Sequence, residues 1–195
     1  MEKAIGIFGS SSGKSEPHLN FCYTLGDHLQ ELGYNLITGT CPGYPFEVAR
    51  IAFNNRKSKT KIIGISPFGN RTLHLEKGMI EEYHDVIIYT GLGDHIEGKQ
   101  AYNSRANIIT NSVDSAIVFP GSEGTLSELE LLIIKEKRII IISDEVSEFV
   151  DKARELFGNK NPNESNKLHI YNFEWLKYKP NYYSKELMKW IEGRI

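Results

Sequence analysis

Short apolar runs alternate with amphipathic stretches along almost the whole chain, and no other feature constrains the fold so tightly. Ala4–Phe8 reads as a buried strand and Phe21–Leu32 as a helix with Leu25, Leu29 and Leu32 on one face, stopped by Gly33. Asn35–Thr38, Lys61–Ser66, Val86–Tyr89, Ser115–Phe119 and Arg138–Ser143 read as further strands. Phe46–Asn54, Tyr102–Asn111, Leu126–Glu136 and Val146–Phe157 read as further helices. Strands separated by helices pair in parallel through crossovers. Runs that are apolar throughout, such as Ser115–Phe119, suit a sheet covered on both faces. The pattern predicts an α/β fold over residues 1–195: one doubly wound domain with a mostly parallel sheet and helices on both faces. Gly158–Lys167 is polar and reads as a loop. The 28 residues after it are too few to fold alone, so 159–195 is expected to be a C-terminal extension packed on the domain, ending in a helix over Ser184–Glu192.

Composition excludes some functions. Apolar residues make up 40% and charged residues 25% of the chain, the balance of an ordinary globular domain. A net charge of −2 supplies no global basic field, which argues against a nucleic acid polymer or a membrane surface as partner. The apolar run Ile139–Ile142 is a strand's length, far from the roughly 20 residues that span a bilayer. The first residues lack the long apolar segment of a signal peptide, so a cytoplasmic location is expected. Cys22 and Cys41 form no metal-spaced pair and no disulfide is expected. Cys22 belongs to a helical core pattern. Cys41 sits in a Gly/Pro turn, where a nucleophilic role is the alternative to a structural one. No His/Cys/carboxylate cluster has ligand spacing, so neither a metal nor a cofactor is expected. His74, His84 and His95 fit surface or loop roles. Tyr171, Phe173, Trp175 and Tyr178 fit packing or a dimer contact, with base stacking as the alternative.

The turns after the strands carry most of the glycine. "GIFGSSSGKS" looks like a P-loop, but counting back from Gly13-Lys14-Ser15 puts Phe8 where the first glycine belongs. Glycines at 6, 9 and 13 also miss the dinucleotide pattern. In a doubly wound sheet, ligands bind beyond the carboxyl ends of the strands, where the strand order reverses. Four turns fall on that rim: "GSSSGKS", "TGTCPGYP", "TGLGDHIEG" and "PGSEGT". They make either a backbone-lined pocket for something phosphorylated or ordinary strand-ending turns. "TGLGDHIEGKQ", 90–100, is either a lid or a plain crossover.

"FPGSEGTLSELE", 119–130, is the most informative stretch. Pro120 and Gly121 turn the chain, Gly124 permits a close approach, and Thr125 is expected to open a helix whose free N–H groups and dipole attract an anion. Glu128 lies three residues on, on the same face. Thr125-Leu-Ser-Glu128 also reads as a capping box, with Thr125 as the cap.

The longer segment "YNSRANIITNSVDSAIVFPGSEGTLSELE" resembles the Lonely Guy family, often described as lysine-decarboxylase-like and part of a wider group of Rossmann-like nucleotide-binding proteins. Its Pro-Gly-Gly-x-Gly-Thr-x-x-Glu signature appears as Pro120 through Glu128 with Ser122 in place of the second glycine, and Arg105 stands fifteen residues before the proline, as the family's arginine does. "IGIFGSSSG" resembles the family's first strand and turn, and the likeness covers roughly 3–145. The resemblance implies a commonly dimeric, Rossmann-like protein, here a homodimer. It also implies a phosphoribohydrolase that cleaves the N-glycosidic bond of a nucleoside 5′-monophosphate to free base and ribose 5-phosphate. Lysine decarboxylation is not expected. Carried over, Arg105 and Glu128 are the catalytic pair. Gly121, Ser122, Glu123, Gly124 and Thr125 hold the phosphate, while Gly9, Ser10 and Ser11 line the pocket. A carboxylate suits the positive charge that builds at the anomeric carbon, and an arginine forks to oxygens. Tyr102-Asn103-Ser104-Arg105 replaces the family's Met-His-x-Arg, Asn111 stands for a second arginine, and "TGTCPG" for a run of glycines. These departures favour the alternative: a non-catalytic sensor or carrier of a nucleotide-like ligand.

Overall fold

The computed structural model describes residues 3–11, 16–57, 59–143, 147–160, 168–172 and 180–191. Among them run seven strands: β1 Ala4–Phe8, β2 Asn35–Thr38, β3 Ile62–Ser66, β4 Val86–Tyr89, β5 Ser115–Val118, β6 Arg138–Ser143 and β7 Leu168–Asn172. Every pairing is parallel, and the order across the sheet is β4-β3-β2-β1-β5-β6-β7. Parallel neighbours need crossovers, and among the described residues eight helices accompany the strands: α1 Glu16–Leu32, α2 Tyr44–Asn54, α3 Arg71–Glu76, α4 Lys99–Asn103, α5 Ala106–Asn111, α6 Glu123–Ile134, α7 Glu148–Lys160 and α8 Pro180–Ile191.

Alternation along each strand divides the core in two. Ile5, Ile7, Ile117, Phe119, Ile140 and Ile142 face one side and pack with Phe21, Leu25, Val48 and Leu187 from α1, α2 and α8. Phe8, Ala116, Val118, Ile139 and Ile141 face the other and pack with Ile109, Leu129, Leu132 and Val150 from α5, α6 and α7. The sheet is covered on both faces by helices, which makes the chain a single Rossmann-like α/β domain. No helix among the described residues is long and apolar enough to cross a membrane.

Several boundaries differ from those read in the sequence. α1 begins at Glu16, a turn before the apolar pattern starts. The helix expected over Tyr102–Asn111 is two, α4 and α5, broken at Ser104 and Arg105. α3 was not expected: Asn70 caps its six residues by accepting from the Leu73 amide at 2.9 Å. β7 was not expected either, yet it pairs with β6 from Ile139↔Leu168 to Ser143↔Asn172. α7 continues to Lys160, into the stretch read as loop. Gly13, Lys14 and Ser15, Val146, the rest of that loop over 161–167, and Phe173, Trp175 and Tyr178 lie outside the described residues.

Candidate functional site

The strand order reverses between β1 and β5, so the loops leaving these strands diverge around a crevice. The loops are held together at their base. Phe119 N–H donates to the Phe8 carbonyl at 2.9 Å and Ser10 N–H to the Pro120 carbonyl at 3.1 Å. Close approach here requires missing side chains. A Cβ on Gly9 would lie 2.8 Å from the Phe119 Cβ, and one on Gly121 would meet the Thr125 side chain, with Ser10 N at 3.1 Å.

α6 opens on this crevice. Its N-cap is Ser122, in extended conformation (φ −87°, ψ −165°) that needs no glycine, and the Ser122 side chain makes no capping bond. Thr125 therefore does not open the helix: it lies buried in the first turn, and its backbone N–H donates to the Ser122 carbonyl at 2.9 Å. With Thr125 inside the helix, the capping box over Thr125–Glu128 does not form. The amides of Glu123 and Gly124 have no carbonyl four residues back within the helix and stand at its positive end.

A cavity of about 460 Å³ fills the crevice. Its wall includes Gly9, Ser10 and Ser11 from the loop after β1, Ser122, Glu123, Gly124 and Thr125 from the start of α6, and Arg105 and Glu128. Gly121 lies behind that wall, between Thr125 and Ser10. Ile7, Phe8, Gly39, Cys41, Pro45, Tyr102 and Asn103 complete the lining; the sequence reading assigns none of them to the site and gives Cys41 only an alternative role as a nucleophile. For Cys41, the only prior signal was its place in a rim turn.

Arg105 sits at the break between α4 and α5 and is only 4% exposed. Gly39 makes room for it: a Cβ there would run into the guanidinium. Nη2 donates to Cys41 Sγ at 3.2 Å, whereas Nε and Nη1 have no partner among the described residues. No described carboxylate is within ion-pair distance of it. Glu128 is pushed up to about 7 because the cavity strips its carboxyl of water, and the Arg105 charge offsets only part of this. A permanent buried cation thus faces a carboxyl that is half neutral near pH 7. The site is short of negative charge, and an anion would supply it.

The rim turn after β4, "TGLGDHIEG", lines a different cavity of about 600 Å³, reaching from Phe68 through Gly93–Gly98 to Tyr102, which belongs to both. The histidines are not all peripheral as expected. His74 is fully buried, hydrogen-bonded to Ser66 Oγ at 2.9 Å and edge-on to the Tyr89 ring. His84 bonds Thr38 Oγ1 at 2.8 Å. Burial pulls both below the usual histidine range. Of the three, only His95, on the second cavity, is exposed. Among the described residues, no group of three or more His, Cys, Asp or Glu is placed to hold a metal ion.

Known structures share this architecture. The molybdenum cofactor binding protein of the phototrophic bacterium Rippkaea orientalis is similar with a TM-score of 0.68 and 26% identity, over 97% of this chain and 96% of that one. The Moco carrier protein of Chlamydomonas reinhardtii is similar with a TM-score of 0.67 and 18% identity, over the whole of both chains. DNA processing protein A of Helicobacter pylori, which has a single-stranded DNA binding mode, is similar with a TM-score of 0.63 and 17% identity, over 96% of this chain and 80% of that one. No curated protein matches the sequence. The DNA-binding neighbour corrects the exclusion of nucleic acid polymers drawn from net charge. A net charge of −2 sums over the whole surface, whereas a strand is held by a local stripe of backbone and side chains, which this fold can present. A family model matches residues 2–170, and the chain belongs to the SLOG cluster4 family.

Proposed function

We propose that this protein binds and carries a phosphorylated small molecule of nucleotide or pterin-cofactor size in the cavity between β1 and β5. The buried guanidinium of Arg105, which has no carboxylate partner among the described residues, carries this reading. An arginine without a carboxylate is costly to bury, and an anionic ligand is the partner that its free Nε and Nη1 call for. In this role Arg105 anchors the anion, with the first-turn amides of α6 and Thr125 beside it. Gly9, Ser10, Ser11 and Gly121 keep the backbone close enough to touch it. Glu128 stays protonated part of the time and donates a hydrogen bond, instead of repelling the ligand. The cavity lies within the range of small-molecule sites, about 300–1,000 Å³. The molybdenum cofactor, a phosphate-bearing pterin, is a fitting cargo, since the Rippkaea orientalis protein similar along nearly its whole length is described as binding it.

The second reading is a hydrolase of the Lonely Guy kind, favoured by the pairing of Arg105 with a Glu128 whose carboxyl titrates near neutrality. One experiment separates the two. The protein is incubated with molybdenum cofactor and with a panel of nucleoside 5′-monophosphates. Retention is measured by calorimetry and released base by chromatography. The carrier reading expects saturable binding without base release. Base release that disappears in Glu128→Gln overturns it in favour of the hydrolase, and absence of binding to every compound overturns both.

A further inference from the structure

We propose that Cys41 is a peroxide-modified gate of the anion site, an inference that rests on the binding role assigned to Arg105. Three observations converge on this sulfur. It lines the cavity, is half-buried, and is a free thiol. It accepts from Arg105 Nη2 at 3.2 Å and, among the described residues, is the sole hydrogen-bond partner of a guanidinium whose other two nitrogens have none. It is also held there by a strained turn. Thr40 carries φ +58°, a conformation that a β-branched residue rarely adopts. The Thr40 N–H donates to Thr38 Oγ1 at 3.2 Å, and its carbonyl accepts from Ile80 N–H at 2.9 Å. Gly43, at φ +101°, closes the other side of the turn, where a Cβ would meet the Ser10 carbonyl oxygen. Strain of this kind persists only where surrounding contacts fix it, and here it fixes one sulfur against one cation.

The chemistry follows from that juxtaposition. The Cys41 sulfur attacks one oxygen of hydrogen peroxide. An S–O bond forms, the O–O bond breaks, and the departing hydroxide takes up the thiol proton as water. Sulfur is oxidised by two electrons and peroxide is reduced by two, leaving a sulfenic acid. A second equivalent of peroxide gives the sulfinate in the same manner. Arg105 favours both steps because negative charge develops within hydrogen-bond reach of its guanidinium. The product oxygens then occupy the nitrogens that would otherwise hold a ligand anion. Cys22 has the same thiol but is fully buried in the helical core, out of reach of dissolved peroxide, and serves as the internal control.

The test follows modification and binding separately. Intact-protein and peptide mass spectrometry times oxygen addition at Cys41 and Cys22 under hydrogen peroxide, in the parent and in Arg105→Met. Circular dichroism checks the fold of each. Calorimetry with inorganic pyrophosphate reads the site before and after peroxide. Oxygen is expected on Cys41 and not on Cys22, at a rate at least roughly tenfold lower in Arg105→Met. Pyrophosphate binding should be lost on oxidation and restored by a thiol reductant at the sulfenic stage. Cys41→Ser, whatever its own affinity, should bind equally before and after peroxide, which keeps the test open if Arg105→Met does not fold. Equal oxidation rates in the parent and Arg105→Met, or unchanged pyrophosphate binding by oxidised protein, overturns the proposal. A parent that adds oxygen selectively at Cys41 but never binds pyrophosphate overturns the gate through failure of the anion site, with the mass data showing that the oxidation chemistry itself held.

Discussion

Three arginines divide the molecule into two kinds of region. At the β3–β4 edge, Arg56 forks onto Asp85 with two 2.8 Å bonds, and Arg71 meets Glu81 at 2.9 Å. Their side chains are 31% and 71% exposed, so water already solvates them. Arg105, at the strand-order reversal, is 4% exposed and has no carboxylate partner among the described residues. The charge with the greatest need of a counterion is the one that lacks it. Pairing at the edge organises the surface and contributes little energy. Absence of a carboxylate partner among the described residues is a cost carried by the folded chain, and the proposed anionic ligand would relieve it.

The sharpest way to break this contrast is Arg105→Met. Ligand affinity should fall at least roughly 10²-fold by calorimetry, as expected when one member of a buried charge pair is removed. The ligand-free protein should melt no lower than the parent, because a desolvated, uncompensated charge has gone. Unchanged affinity would put Arg105 in the same class as Arg56.

Glu128→Gln is next in size. The folded protein holds the Glu128 proton up to about 7, above the 4.5 of an ordinary glutamate, so the folded state binds more protons than the unfolded one between these pH values. Stability of the parent therefore declines as pH rises through that window. The Gln variant, which has no charge to form, should gain on the parent by up to about 3 kcal/mol at pH 8 and by much less at pH 5. Denaturant melts at the two pH values measure this. A difference independent of pH would mean that Glu128 titrates alike in the folded and the unfolded chain.

A smaller effect concerns binding. Sulfate keeps its charge between pH 6 and 8, whereas Glu128 ionises there. Sulfate affinity of the parent should drop by roughly threefold to tenfold across that range, and that of Glu128→Gln should stay flat. Smallest of all, Arg56→Ala should cost about 1 kcal/mol or less in a denaturant melt and leave ligand affinity untouched.

The strands were largely legible because each is a short run of apolar residues bounded by polar or glycine punctuation. β1, β2, β4 and β6 fall where the sequence put them, and β3 and β5 within one residue. Elements without such contrast were missed. β7, Leu-His-Ile-Tyr-Asn, is too short and too mixed to stand out, and α3 depends on an Asn70 cap over six residues. The start of α6 was misplaced because Thr125-Leu-Ser-Glu128 satisfies the capping pattern, while tertiary packing of Gly121 on Thr125 moves the cap back to Ser122. Within the site, the residues adjacent in sequence around 120–128 were accessible. Cys41, Asn103 and Gly39 were not, because nothing along the chain tells that Gly39 and Cys41 will meet Arg105, or Gly124 will meet Asn103.

The position of β1 at the middle of the sheet has a consequence for synthesis. β1 pairs on one side with β2, Ala4↔Asn35, and on the other with β5, Ile5↔Ser115, and the Ala4 amide reaches Asp114 Oδ2 110 residues away. While the chain emerges from a ribosome, β1 through β4 can assemble as half a sheet long before β5 exists. During that interval β1 shows a bare hydrogen-bonding edge, which is a template for wrong pairing. The crevice walls, running from Ile7 to Glu128, close only after that edge is covered. A ligand can therefore stabilise the finished sheet but gives no help through the interval in which a nascent chain is most exposed to misassembly.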